Sequence, residues 1–167
     1  MCYNVILEAS KDSGTCKLWR ISFSAADKEI VTHADGTLKA TDEKTCRKDV
    51  LRLLKSDVER FNKQQLVGDK DVLCSLHVKT ILLGCLDEFR SDRDWIDVRD
   101  RYVGALHRFV ACLESRVLPH YYVKSVNLID GSLLSTAQWK KVVKYFKDII
   151  HEFDETSASL ELVPART

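Results

Sequence analysis

The sequence predicts a mainly α protein: a helical bundle with a short β-hairpin at its start. Three observations predict it. Apolar residues recur at helical spacing along several long stretches. One of these, residues 74–89 (CSLHVKTILLGCLDEF), is apolar nearly all the way round, as a helix buried on most sides must be. Strict polar–apolar alternation is confined to residues 3–8 and 16–23.

In chain order, YNVILE (3–8) and CKLWRISF (16–23) alternate as strands do, and Lys11-Asp12-Ser13-Gly14 between them reads as a turn. A hairpin is therefore expected over residues 3–23. SFSAADKEIV then switches to helical spacing, with Ser24 as N-cap and Asp27 in the first turn. Residues 33–44 are polar and contain Asp35-Gly36, which marks a loop. A helix is expected from about Lys44 to Lys63, its apolar side formed by Val50, Leu51, Leu54, Val58 and Phe61. Gly68-Asp69 breaks the pattern before the apolar helix at 74–89, which is expected to be central. SDRDW (91–95) reads as a short loop. A helix then runs from about Ile96 to Arg116, with Val98, Tyr102, Leu106, Phe109 and Leu113 as its stripe and Pro119 as its stop. The connection that follows holds several large apolar residues and is expected to pack down. Ser135 and Gln138 have the spacing of a capping box. The last helix carries Trp139, Val142, Val143, Phe146, Ile149, Ile150 and Phe153 on one face. Residues 1–155 are read as a single domain and 156–167 as a polar tail.

Composition narrows the function. A formal net charge of +1 argues against a strongly polyelectrolyte-binding protein. No apolar run reaches the roughly 18 residues of a membrane helix, so no membrane association is expected. The N-terminus lacks the basic start and apolar stretch of a secretion signal. Cys2, Cys16, Cys46, Cys74, Cys85 and Cys112 are scattered and form no CxxC pair, which suits reduced thiols in the cytoplasm or nucleus. Lys44, Lys48, Arg52 and Lys55 recur on one helix face with Arg47 beside them. Such a stripe binds phosphate backbones without sequence preference. The plainer reading is a solvated face, with Glu59 partly neutralising it.

Three segments go beyond pattern: WRISFSAADKEI (19–30), CSLHVKTILLGC (74–85) and VLPHYYVKSVNLI (117–129). In order and spacing they resemble the C-terminal half of the Mab-21 family. CRKDVLRLLK (46–55) resembles its cyclic GMP-AMP synthase-like branch in particular. The resemblance implies the helical C-terminal lobe of a two-lobed nucleotidyltransferase. It begins at the end of the catalytic sheet, so the family's catalytic Gly-Ser motif and paired carboxylates fall outside the matching stretch. Phosphoryl transfer depends on metal ions to neutralise developing charge. The isolated chain is therefore expected to have no catalytic residues and no cofactor; magnesium with ATP or GTP enters only if a catalytic lobe completes it.

By resemblance, Arg20, Ser22 and Ser24 match positions that contact the base, and Lys55 and Ser75 match positions that touch the triphosphate. The residue after Ser75 is a base-stacking tyrosine in the synthase branch and is Leu76 here, which has no π face. That branch also carries a zinc insertion built from one histidine and three cysteines. The corresponding stretch from His33 to Cys46 has one of each, too few for a four-ligand site, so no metal is expected. His77, His107, His120 and His151 are dispersed and read as core-edge or surface residues. The leading expectation is a non-catalytic binding or scaffold module. The alternatives are one lobe of a cyclic dinucleotide synthase, completed by an N-terminal nucleotidyltransferase lobe and sensing nucleic acid in innate immunity, and a weak nucleic-acid-binding module. The unpaired hairpin at 3–23 is the expected place for that lobe, or for a second copy of the chain, to dock.

Overall fold

The computed structural model describes residues 6–9, 19–22, 31, 45–64, 72–129 and 134–161, with side chains outside that set for the strand residues and beyond residue 155. Strands β1 (Ile6–Ala9) and β2 (Trp19–Ser22) pair antiparallel, Ile6 opposite Ser22 and Ala9 opposite Trp19. The turn expected between them and the helix expected after Ser24 lie outside the described residues, except that Val31 is helical and buried. The rest is helical: α1 (Arg47–Gln64), α2 (Ser75–Glu88), a 3-10 turn (Asp92–Trp95), α3 (Val98–Ser115) and α4 (Thr136–Glu161).

Helices α1 and α4 bury the faces their spacing assigns. On α1, Val50, Leu54, Val58 and Phe61 are buried and Leu51 packs at the margin. On α4, Trp139, Val142, Phe146 and Ile150 are buried, with Val143, Ile149 and Phe153 packed beside them. Aromatic edges knit three helices: Phe146 meets Phe109 at 5.0 Å and Phe61 at 6.0 Å between ring centroids. The α4 capping box forms as its spacing demands. The Ser135 N–H donates to Gln138 Oε1 at 2.9 Å, and the Gln138 N–H donates back to Ser135 Oγ at 3.3 Å.

Four expectations are corrected. The hub is α3, which packs on α1, α2, α4 and the 3-10 turn, although α2 is indeed sunk on most sides. On α3 itself Val98 is exposed, because it is the first residue beyond the N-cap Asp97 and lies outside the packed turns. The helix ends at Arg116 as expected, but Pro119 is not its stop: Arg116 takes a left-handed conformation (φ 55°) and its N–H returns to the carbonyls of Cys112 and Leu113. SDRDW is no simple loop. It winds into a 3-10 turn that drives Trp95 to zero exposure, with the indole N–H donating to Phe89 O at 2.7 Å.

The connection after α3 packs down as expected, through Leu118 and Ile129. Asn127 organises it. Its Oδ1 accepts from the Leu118 N–H at 2.7 Å, and its Nδ2 donates to Arg116 O and Ile129 O at 2.9 Å each. One side chain thus satisfies backbone groups that the irregular path leaves without a ladder. Helix α4 continues to Glu161, into the stretch read as a polar tail.

Candidate functional site

Helix α1 presents a basic face, but it is thinner than the sequence suggests. Lys48 and Arg52 are exposed and Lys55 is half-buried. Arg52 Nη1 is bonded to Asp49 Oδ1 at 2.7 Å on the surface. Lys44 lies outside the described residues. Arg47 leaves the face altogether. It is buried, its Nη2 lies 2.7 Å from Asp92 Oδ1, and its guanidinium stands 5.3 Å from the Trp95 ring centroid. A guanidinium can be buried only with a charge partner and a weakly polar wall, and the 3-10 turn supplies both. Arg47 therefore anchors α1 to the turn, instead of offering charge to a phosphate.

The start of α2 is fastened to the far end of α1. Asn62 Nδ2 donates to Leu73 O at 2.6 Å and its Oδ1 accepts from the Leu73 N–H at 3.4 Å. Lys55 precedes Asn62 by two helical turns, so it lies on the same side of α1, roughly 10 Å along the axis. Lys55 and the start of α2 thus share one edge of the fold. Ser75 is the first residue of α2 and is exposed, as is Leu76 behind it. Ser75 is not the cap; Cys74 is. Arg20 and Ser22 lie in β2, and Ser24 falls outside the described residues.

At this helix start sits a pair of residues that sequence reading passed over. The Cys74 N–H donates to His77 Nδ1 at 2.9 Å, and Cys74 Sγ lies 3.4 Å from the same nitrogen. His77 Nε2 lies 3.0 Å from Leu128 O. A carbonyl can only accept, so Nε2 carries the proton and Nδ1 faces the cysteine as a base. The hydrogen bond with His77 lowers the Cys74 thiol to about 7, against the opposing effect of burial. Burial pulls the imidazole down, but its contacts with Cys74 outweigh that and its pKa is raised. The signal was available: cysteine and histidine stand at the N-cap and N3 positions, where a capping box pairs side chains with backbone.

A second buried polar pair lies between α1 and α3. The Tyr102 hydroxyl donates to Asp57 Oδ2, and Arg60 approaches Asp57 Oδ1 at 3.9 Å. Burial pushes Asp57 up, more than the Tyr102 hydrogen bond and Arg60 pull it down. Tyr102 is raised far above its ordinary value by burial and by the carboxylate. Among the described residues no group of three or more His, Cys, Asp or Glu is placed to hold a metal ion. No described helix is long and apolar enough to cross a membrane.

Among the described residues, four helices around a Phe109–Phe146 core, with a 3-10 turn packed on α3, make a mainly helical domain. The family model for the Mab-21 protein HhH/H2TH-like domain matches residues 46–148, and the chain belongs to the Mab-21 family. It is 29% identical over 132 residues to a cyclic GMP-AMP synthase-like receptor of Magallana gigas, a match covering 78% of this chain and 21% of the relative. It is 30% identical over 122 residues to the cyclic GMP-AMP synthase of Mus musculus, covering 70% of this chain and 24% of the relative. The enzyme of the same name from Sus scrofa is 30% identical over 125 residues, with 25% of its length matched. The chain thus spans about a fifth to a quarter of the length of these relatives.

Proposed function

We propose that this chain acts as a non-catalytic Mab-21-type helical module, in binding or scaffolding. The observation that supports the reading is that residues 46–148 match the family's helical domain. Phosphoryl transfer needs carboxylates that clamp metal ions against a triphosphate. The buried carboxylate of the helical lobe, Asp57, is engaged by Tyr102 and set in the packed seam between α1 and α3. The edge formed by Lys55, Ser75 and Leu76 offers a cation, a hydroxyl and an apolar side chain, which suits holding a phosphate-bearing molecule more than transforming one. The test is direct. Purified chain incubated with ATP, GTP, magnesium or manganese, and duplex DNA or RNA forms no cyclic or linear dinucleotide. Product above a blank overturns the reading.

The similarity to cyclic GMP-AMP synthases favours a second reading. The chain is then the C-terminal lobe of a synthase of that kind, its catalytic lobe encoded elsewhere, acting in the cytoplasm or nucleus. Magnesium and ATP or GTP belong to that completed form. An in-frame Gly-Ser motif followed by paired carboxylates, encoded directly upstream of Met1, selects this reading over the first. Docking of such a lobe, or of a second copy, is assigned to the hairpin at 3–23. Charge substitution at Ile6 or Leu18 then abolishes association seen by analytical ultracentrifugation. Weak nucleic-acid binding through Lys48 and Arg52 is expected to fall steeply with salt.

A further inference from the structure

We propose that Cys74 is a covalent modification site: its sulfur exchanges with a low-molecular-weight disulfide to form a reversible mixed disulfide, and His77 is the base that serves it. Neither residue is among those matched to nucleotide or nucleic-acid contacts, and the inference is independent of the proposed function. The first support is the geometry of the pair. Cys74 Sγ lies 3.4 Å from His77 Nδ1. The ring is kept in that orientation from across the fold, its Nε2 lying 3.0 Å from the carbonyl of Leu128, 51 residues further along the chain. A nucleophile, a base and a group that orients the base are the parts an activated thiol needs. The imidazole is buried, whereas Cys74, Ser75 and Leu76 are exposed. The base is sheltered and the cysteine is open to a reagent.

The second support is that the helix start does not need a thiol. Sulfur is a weak acceptor, and serine or aspartate caps a helix better than cysteine. The fastenings here use backbone atoms instead. The Cys74 N–H donates to His77 Nδ1 at 2.9 Å, and Asn62 holds both the N–H and the carbonyl of Leu73. A group added to the sulfur breaks none of these bonds. The third support is the contrast with the other described cysteines. Cys46 and Cys85 are buried, Cys112 is half-buried, and burial pushes all three thiols up. The His77 hydrogen bond draws Cys74 down to about 7 against burial, and the backbone N–H groups of Leu76 and His77 add smaller pulls the same way. An attacking thiol is most effective when its pKa lies near the ambient pH. Among the described residues no second cysteine is exposed, so nothing in the helical lobe resolves the mixed disulfide once formed.

The exchange balances. The thiol proton passes to His77 Nδ1, and Sγ attacks one sulfur of the small disulfide. Its S–S bond breaks as the new S–S bond to Cys74 forms. The released thiolate takes the proton from His77, which returns to the neutral imidazole. Cys74 is oxidised and the small disulfide is reduced by the same electron pair.

The experiment treats the full chain with glutathione disulfide, quenches in acid and maps adducts by peptide mass spectrometry. One glutathionyl group is expected on Cys74 before any on Cys46, Cys85 or Cys112, and dithiothreitol removes it. At neutral pH Cys74 should react about fivefold faster in the folded chain than in the same chain unfolded in urea, because the gain in thiolate exceeds the loss of intrinsic nucleophilicity. His77→Asn keeps an acceptor for the Cys74 N–H but lacks the base; it should slow exchange about fivefold at neutral pH and move the midpoint of the rate–pH profile upward. The comparison of folded with unfolded chain needs no variant, and it decides the matter if His77→Asn does not fold. Four results overturn the proposal: exchange at Cys74 no faster folded than unfolded, an earlier adduct on Cys46, Cys85 or Cys112, a disulfide within the chain in place of the adduct, or an unchanged profile in folded His77→Asn.

Discussion

Two helices of this bundle begin on a cysteine, and the two starts have opposite characters. At α1, Cys46 is buried, its N–H donates to Trp95 O at 2.7 Å, and burial pushes its thiol up. The next residue, Arg47, is clamped between Asp92 and Trp95. At α2, Cys74 is exposed, and the His77 imidazole 3.4 Å from its sulfur brings the thiol down to about 7. Both thiols feel the positive end of a helix dipole. That shared field does not decide the outcome. Desolvation and one oriented imidazole do: they leave Cys46 a buried thiol pushed up and Cys74 an exposed thiol drawn down.

The largest expected effect breaks the α1 side of this contrast. Trp95→Ala removes the wall behind Arg47 and the indole bond to Phe89 O, and should cost about 3–5 kcal/mol in urea unfolding. Next comes the Asp57–Tyr102 pair. Tyr102→Phe strands a buried carboxylate and should cost about 1–3 kcal/mol. Asp57→Asn keeps an acceptor for the hydroxyl and should cost less. The pH dependence has a definite sign. A carboxyl whose folded pKa is raised makes the folded state bind the proton more tightly than the unfolded one. Its contribution to stability therefore falls as pH rises from the ordinary carboxylate range to the raised value. Asp57→Asn should remove that slope in a pH series of denaturant titrations.

The α2 side is probed by reactivity. Alkylation mapped by peptide mass spectrometry should label Cys74 with a pH midpoint near 7, ahead of buried Cys46 and Cys85. His77→Asn should move the midpoint upward and slow labelling at neutral pH severalfold, since thiolate fraction sets the rate. Equal labelling of Cys46 and Cys74 in folded protein would erase the contrast. The smallest effect concerns the basic face. Lys48→Glu with Arg52→Glu should change stability by no more than about 0.5 kcal/mol, because exposed ion pairs such as Arg52–Asp49 contribute little.

What the sequence disclosed and what it hid divide along the range of the interactions. Helical spacing marked Val50, Leu54, Val58 and Phe61 because one apolar stripe fills one face. The Ser135–Gln138 box was legible because both partners lie within one turn. Trp95 was not, being a single aromatic in a run of charged residues. Its burial depends on Phe89 O and on Arg47, which is distant in the chain. Arg47 itself looked like one more cation in a basic helix, and only Asp92 distinguishes it. Asp57 lay in a helix of charged residues, and its burial is set by Tyr102 on α3. Of the candidate site, the resemblance pointed to Lys55 and Ser75 without placing them on a common edge, and it passed over Cys74 and His77. The left-handed turn at Arg116 had no glycine to announce it.

A helical module of the proposed kind should fold as this chain alone. Urea unfolding of the isolated chain, followed both by far-ultraviolet circular dichroism and by tryptophan fluorescence, tests it most directly. Trp95 and Trp139 are buried against different elements, one on the 3-10 turn and the other beside Leu113 O. A self-sufficient lobe gives one cooperative transition with coincident midpoints in both signals. Separate midpoints, or a gradual loss of both signals with no folded baseline, would show that the lobe depends on a missing partner for its fold.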